Sequence, residues 1–294
     1  MISKKTSVIL TVFFTIIVVC LYFLFIQREK YTNTMVYFLT ETQTKDFLRK
    51  DNDRYIRSLS SADLFARKAK THDEYLNNSL VCVSSFSQSE QNKLKRCIRH
   101  ADEFLRNFVY RYGSSTLNCN EMLKIPWKFA KTSKTMESTN EINQKQIYEY
   151  EEGFPHTRDQ IIFLSDLSIN KNVLNNDIDD NLINTLIHEK VHVYQRLNPK
   201  SMEYILKKIG YVPLSNQYVS ELKRSNPDIN NITYKDWNGK IMLTLYKSVQ
   251  PSGINDVVSQ DYENEHPYEK MAYYIANEYT RLKLQNINTY INIS

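Results

Sequence analysis

The sequence predicts an α+β fold with a small mixed sheet and a helical N-terminal part, preceded by one transmembrane helix. Three observations carry this. Segments 87–113 and 180–196 repeat apolar residues with the 3.6-residue period of helices that bury one face. Between them lie short apolar, partly β-branched runs, of which Asp159-Gln160-Ile161-Ile162-Phe163-Leu164-Ser165 is the clearest. Ahead of these, Val8 to Ile26 is almost unbroken apolar sequence. Strands before a long helix and helices after it suit a mixed arrangement, and no internal repeat is evident.

The elements follow in order. Val8 to Ile26, between Lys4-Lys5 and Arg28-Glu29-Lys30, offers about 19 residues at about 1.5 Å each, enough for a bilayer core. No small-residue cleavage site follows, so an uncleaved signal anchor in the lipid bilayer is expected, with residues 1–27 forming the anchor. Basic residues on its two sides nearly balance and do not set an orientation. Residues 28–80, with polar and charged helical patches, are expected to form a stalk and helical linker. Residues 81–294 are long enough for one sizeable core.

Ser87-Gln88-Ser89-Glu90 is a capping box opening a helix, its apolar stripe running from Leu94 to Val109 and its end expected near Gly113. Lys93, Lys95, Arg96 and Arg99 ride its wet side. Ile125 to Lys131 and Lys240 to Ser248 are expected as strands, and Arg196 to Ile209 as another helical run.

The segment from Asp180 to about Arg196 contains His188-Glu189-Lys190-Val191-His192. Residues four apart on a helix lie one turn apart on one face, so both imidazoles can address one ion. On a helical wheel Leu182, Ile183, Leu186, Ile187, Val191, Val193 and Tyr194 fill one arc. Asn184, Thr185, His188, Glu189, His192, Gln195 and Arg196 fill the other. Lys190 alone breaks the pattern, and its stem is expected to pack while the amine reaches water. Neutral imidazoles ligate Zn²⁺, and a catalytic site keeps three protein ligands and one position for water. A carboxylate next to the first His can take that water's proton and pass it to a leaving amine, a role that falls to Glu189.

A third ligand must come from elsewhere. Val193 to Asn198 offers neither the Gly nor the His of the short-range solution. The run Glu265-His266-Pro267-Tyr268-Glu269-Lys270-Met271-Ala272-Tyr273-Tyr274 offers a Glu on a later helix, with Pro267 suited to its first turn. Glu269 is the candidate, and Glu265 and Glu278 compete. A helix-starting Glu favoured by the macrodipole is the ordinary explanation for both Glu265 and Glu269.

On these residues the chain resembles the zinc metallopeptidases called gluzincins, which join His-Glu-x-x-His to a downstream Glu. The resemblance covers about Tyr148 to Tyr279. It implies a zincin-like lobe with Zn²⁺ held by His188, His192 and Glu269, Glu189 as catalytic base, and a peptide or protein substrate. It also implies that a sheet edge before the metal helix pairs with substrate. Ile161 to Leu164 is a candidate for that edge or, equally, a central strand. Tyr273, Tyr274 and His156 are candidates for binding an oxyanion or orienting a ligand, against ordinary packing or loop hydrogen bonding. Gly153-Phe154-Pro155-His156-Thr157-Arg158 and Arg224-Ser225-Asn226-Pro227-Asp228 are also similar to metallopeptidase-like proteins of large DNA viruses. The Asn-, Ile-, Lys- and Tyr-rich, Gly-poor composition suits such an AT-rich coding genome.

The net charge of +5 is spread along the chain, and no nucleic-acid motif or phosphate-cradling Gly-rich loop accompanies it. Sequons at Asn77, Asn231 and Asn292 favour an extracytosolic or virion-membrane location for the large domain. Cys82, Cys97 and Cys119, with Cys20 in the membrane run, leave the redox compartment and oligomeric state open. The rival function is a catalytically inactive protein that keeps the same fold for binding or structure at an envelope.

Overall fold

The computed structural model describes residues 15–17, 19, 34–113, 115–132, 136–139, 145–148, 150–170, 179–214, 220–226, 229–258 and 264–291. The chain divides into Met1–Met35 and Val36–Ser294. In the first unit, residues 15–17 and 19 are helical. The rest of the expected span from Val8 to Ile26, with Cys20, lies outside the described residues. Among the described residues no helix is long and apolar enough to cross a membrane.

The second unit is mixed α+β. It runs β1 (Val36–Phe38), α1 (Glu41–Lys50), α2 (Ser61–Ala66), α3 (His72–Cys82), β2 (Val83–Ser84) and α4 (Gln88–Asn107). It continues through β3 (Val109–Tyr112), β4 (Ser115–Asn118), β5 (Trp127–Thr132), β6 (Met136–Thr139), β7 (Lys145–Tyr148), β8 (His156–Arg158) and β9 (Ile161–Leu164). Then follow α5 (Asp166–Asn170), α6 (Asp180–Leu197), α7 (Pro199–Lys208), β10 (Val212–Pro213), β11 (Tyr234–Lys235), β12 (Ile241–Met242) and α8 (Pro267–Ile291).

The central sheet has the order β1-β5-β9-β8, with β2 also paired to β5. β1, β5 and β9 are parallel, whereas β8 and β2 run antiparallel to their neighbours. Side chains alternate between the faces of a strand. Trp127, Phe129, Ile162 and Leu164 therefore enter a core shared with α4, α6 and α8. Ala130, Ile161 and Phe163 enter a second core with Leu48 of α1 and Tyr75 of α3. Coverage on both faces is why Ile161–Leu164 is apolar without a break. Lying between β5 and β8, this strand is central and has no free edge for a substrate.

Several expectations change. The Ser87 capping box forms as expected, but α4 stops at Asn107 rather than near Gly113. Val109–Tyr112 pairs instead with Ser115–Asn118, and Gly113 takes φ +56° at the turn, where a Cβ would be strained. From Val36 onward the expected stalk over 28–80 belongs to the body: β1 joins the sheet, and Leu48, Tyr55, Ile56 and Leu59 are core. Charges that suggested a solvated stalk are engaged internally, as in Asp51 with Arg158 and Arg67 with Glu151. Lys240 to Ser248 yields only Ile241–Met242 as strand, opposite Tyr234–Lys235. Beyond it Leu245 and Tyr246 make single bridges to Lys223 and Val257, too few to extend a ladder. Cys82, Cys97 and Cys119 are buried.

Candidate metal centre

Helix α6 is positioned by its apolar arc and by its start. Leu182, Ile183, Leu186, Ile187, Val191 and Val193 are buried in the main core. Asp179 caps the helix by accepting from the Leu182 amide, and Lys93 of α4 holds the same carboxylate at 2.8 Å. Lys93 is thus a tether between helices and not part of a solvated face. Lys190 is fully buried: its amine donates to the Ile125 and Pro126 carbonyls and lies 4.4 Å from the Trp127 ring centroid. It does not reach water, and burial pushes its amine down to about 7. The polar arc of α6 is left facing α8 and a cleft.

Three donors converge there. His188 Nε2 and His192 Nε2 are 2.9 Å apart, and Glu269 Oε2 lies 3.3 Å from the first and 3.4 Å from the second. His188, His192 and Glu269 form a group able to hold a metal ion. A tetrahedral ion with bonds of about 2.0–2.1 Å sets its ligands about 3.3 Å apart, so the spacing fits. Burial alone would raise the Glu269 carboxyl, but the imidazoles of His192 and His188 outweigh it and hold the group well below its ordinary value. The donor set, from its geometry, is two imidazoles and a carboxylate. The competitors are engaged elsewhere: Glu265 pairs with Arg224 at 3.0 Å, and Glu278 with Arg281 at 2.7 Å.

The ligand tautomer is determined by its neighbours. Gln195 donates its amide to the Tyr268 carbonyl at 3.1 Å, which turns its oxygen toward His192 Nδ1 at 2.8 Å. Nδ1 must then carry the proton, leaving the Nε2 lone pair toward Glu269. Gln195 belonged to the polar arc in the sequence, but nothing there assigned it this task. Glu189 is buried and accepts from the Thr157 hydroxyl at 2.8 Å. Thr157 sits on β8, over thirty positions away, and no sequence signal pointed to it.

Glu189, His188, Glu269 and Tyr273 line a cleft of about 210 Å³, with Tyr55, Arg67, Glu151 and Arg224 among the other walls. The Tyr273 ring lies 4.5 Å from that of His188. Desolvation, then the carboxylates of Glu269, Glu265 and Glu189, push its phenol up, so it remains a donor at neutral pH. Tyr274 packs edge-on against Tyr110 instead. His156 lines the cleft, stacked on Phe163, with Nδ1 donating to the Phe154 carbonyl at 3.2 Å. Burial pushes it down to about 4, so the ring is neutral and Nε2 is an acceptor, the opposite of what an oxyanion requires. Arg158 is a buried structural ion pair with Asp51 at 2.8 Å and Asp53 at 2.9 Å.

The cleft walls from the N-terminal half are ordered by further buried pairs. Arg67 meets both Glu151 oxygens, at 2.8 and 2.9 Å, and Tyr75 donates to the same carboxylate. Compared with known proteins, the chain matches no family model, no curated protein and no solved structure.

Proposed function

We propose that this protein is a membrane-anchored, zinc-dependent metalloendopeptidase of the gluzincin type, with residues 81–294 contributing a zincin-like lobe. The observation that carries the reading is the convergence of His188 Nε2, His192 Nε2 and Glu269 Oε2, at 2.9 to 3.4 Å, beside the buried Glu189 carboxylate. Two imidazoles and one carboxylate are the donor set of a catalytic zinc site with an open position.

Zn²⁺ held by His188, His192 and Glu269 would supply Lewis acidity and lower the pKa of a water molecule. Glu189 takes a proton on the carboxylate oxygen that Thr157 does not engage, then returns it to the leaving amine. The Tyr273 phenol, beside His188, donates to the oxygen on which charge develops. His188 and His192 would hold the ion through Nε2, the second with its tautomer set by Gln195. The apolar run from Val8 to Ile26 tethers the lobe to a lipid bilayer, on the extracytosolic side or on a virion membrane, which the sequons at Asn77 and Asn231 suit.

The test is metal content and turnover in one preparation. The purified chain should bind about one zinc, and a chelator should abolish its cleavage of peptides. Glu189→Gln should keep the metal and lose turnover. Full activity in that variant would overturn the mechanism, and absence of bound zinc would overturn the site.

A further inference from the structure

Beside the cleft runs a second and larger concavity of about 720 Å³, and Phe154 and Pro155 line both. That loop is a wall common to both. On α6 the lining steps back from His188 to Thr185, Asn184 and Asn181. On α8 it steps on from Tyr273 to Asn277 and Thr280. These are successive turns of the same helix faces that carry the metal donors. The result is a trough along the seam of the two helices, on the turns next to those that carry the metal donors.

Its chemistry differs from that of the cleft. The cleft is charged, with Arg67, Glu151, Arg224 and Glu269 in its walls. Among the described lining residues of the trough there is no cation, and its two acids are Asp179 and Glu152. Asp179 is paired with Lys93 and caps α6, and Glu152 accepts from the Ile254 amide at 3.0 Å. Asn184 donates to the Ala276 carbonyl and to Thr280, which leaves its own oxygen as an acceptor. Asn181 and Asn277 are exposed. Each presents an amide, which matches the donor and acceptor pattern of a polypeptide backbone. Phe154 and Leu167, both exposed, add apolar walls. An acidic side chain entering here would be partly desolvated with no cation among the described lining residues, and it would face the Glu152 carboxylate.

We infer that this trough is the binding site for an extended polypeptide substrate on one side of the scissile bond and that it selects against acidic residues there. The inference rests on the metallopeptidase reading and adds a substrate class to it. From His188 back to Asn181 the helix covers about 10 Å at 1.5 Å per residue. An extended chain rises about 3.3 Å per residue, so the trough takes about three residues.

The experiment uses the full chain loaded with zinc and starts from a bond cleaved in a random peptide library. Peptides are extended from it one residue at a time, with Asn, Ser, Lys or Glu at each added position. kcat/KM is expected to rise until about three residues are present on one side and then level off. Glu in that stretch is expected to lower it about tenfold, and Lys is not. Asn277→Lys should recover most of the loss for the Glu-bearing peptides and lower kcat/KM for the Lys-bearing ones. Binding of the same dye-labelled peptides to the Glu189→Gln chain, read by anisotropy, is the second measurement and should follow the same order. Cleavage indifferent to both length and charge overturns the trough and leaves hydrolysis standing. Graded binding without any cleavage by the unaltered chain overturns the hydrolase and keeps the trough. Neither binding nor cleavage overturns both.

Discussion

His192 Nδ1 and Gln195 Oε1 are 2.8 Å apart, and the amide is locked in that sense by its donation to the Tyr268 carbonyl. Residues three apart on α6 thereby set which nitrogen of the imidazole is free to bind a metal. The donation from Gln195 to the Tyr268 carbonyl joins α6 to the first turn of α8, where Glu269 sits. Gln195→Leu should lower zinc affinity about 10–100-fold, as for other partners of metal-bound histidines, without loss of helix content. Competition against a chromophoric chelator measures it, and an unchanged affinity would show that the tautomer is set some other way.

Thr157 has a comparable relation to Glu189, donating to Oε2 at 2.8 Å from a fully buried position on β8. A hydrogen bond to a charged group contributes about 1.5–3 kcal/mol. Thr157→Val should therefore lower kcat about 10–100-fold with KM little changed, because the carboxylate loses its orientation and the cleft keeps its shape. Thr157→Ser should restore most of the rate. Equal losses in Val and Ser would show that the methyl group matters and the hydroxyl does not.

Metal binding draws donors from two helices, so it stabilises the fold that brings them together. At about 1,000 times the dissociation constant the linkage amounts to about 4 kcal/mol, or roughly 8–16 °C in Tm for a body of this size. Thermal scans with zinc and with chelator should show that gap. Glu269→Gln should remove most of it, whereas Glu265→Gln and Glu278→Gln should preserve it, since both carboxylates are paired with arginines. Loss of the shift in Glu265→Gln instead would reassign the third ligand.

His156 makes stability depend on acid. Burial lowers its folded value from 6.5 to about 4, so the unfolded chain binds the proton more readily between those limits. Its contribution is complete above about pH 6.5 and is lost as the pH falls toward 4. Between pH 7.5 and 5 the loss is about 2 kcal/mol. Urea midpoints should fall over that interval, and by about 2 kcal/mol less in His156→Asn. Parallel profiles for the two proteins would contradict a buried neutral imidazole.

The local devices were legible in the chain. The Ser87–Glu90 capping box, the limits of α6 and the single polar arc holding His188, Glu189 and His192 each depend on residues within one or two helical turns. Lys190 marks where that kind of reasoning stops. An amine on an apolar arc is expected to snorkel, but the Ile125 and Pro126 carbonyls and the Trp127 ring meet it inside the core. Phe108 and Val109 continue a helical period on paper, yet the chain leaves the helix there because Ser115–Asn118 is available to pair with the strand that follows.

The sequence by itself determined the secondary elements with short-range causes and the placing of His188 and His192 on one face, because helical spacing puts them there. Only the tertiary structure decided that Glu269, and neither Glu265 nor Glu278, meets them, since its carboxylate reaches both imidazoles while the other two pair with Arg224 and Arg281. It alone placed Thr157 on Glu189, turned His156 into an acceptor and drew residues 36–84 into the body. Those outcomes rest on contacts between segments far apart in the chain. A periodic pattern reports which face of an element is buried, but not which partner buries it.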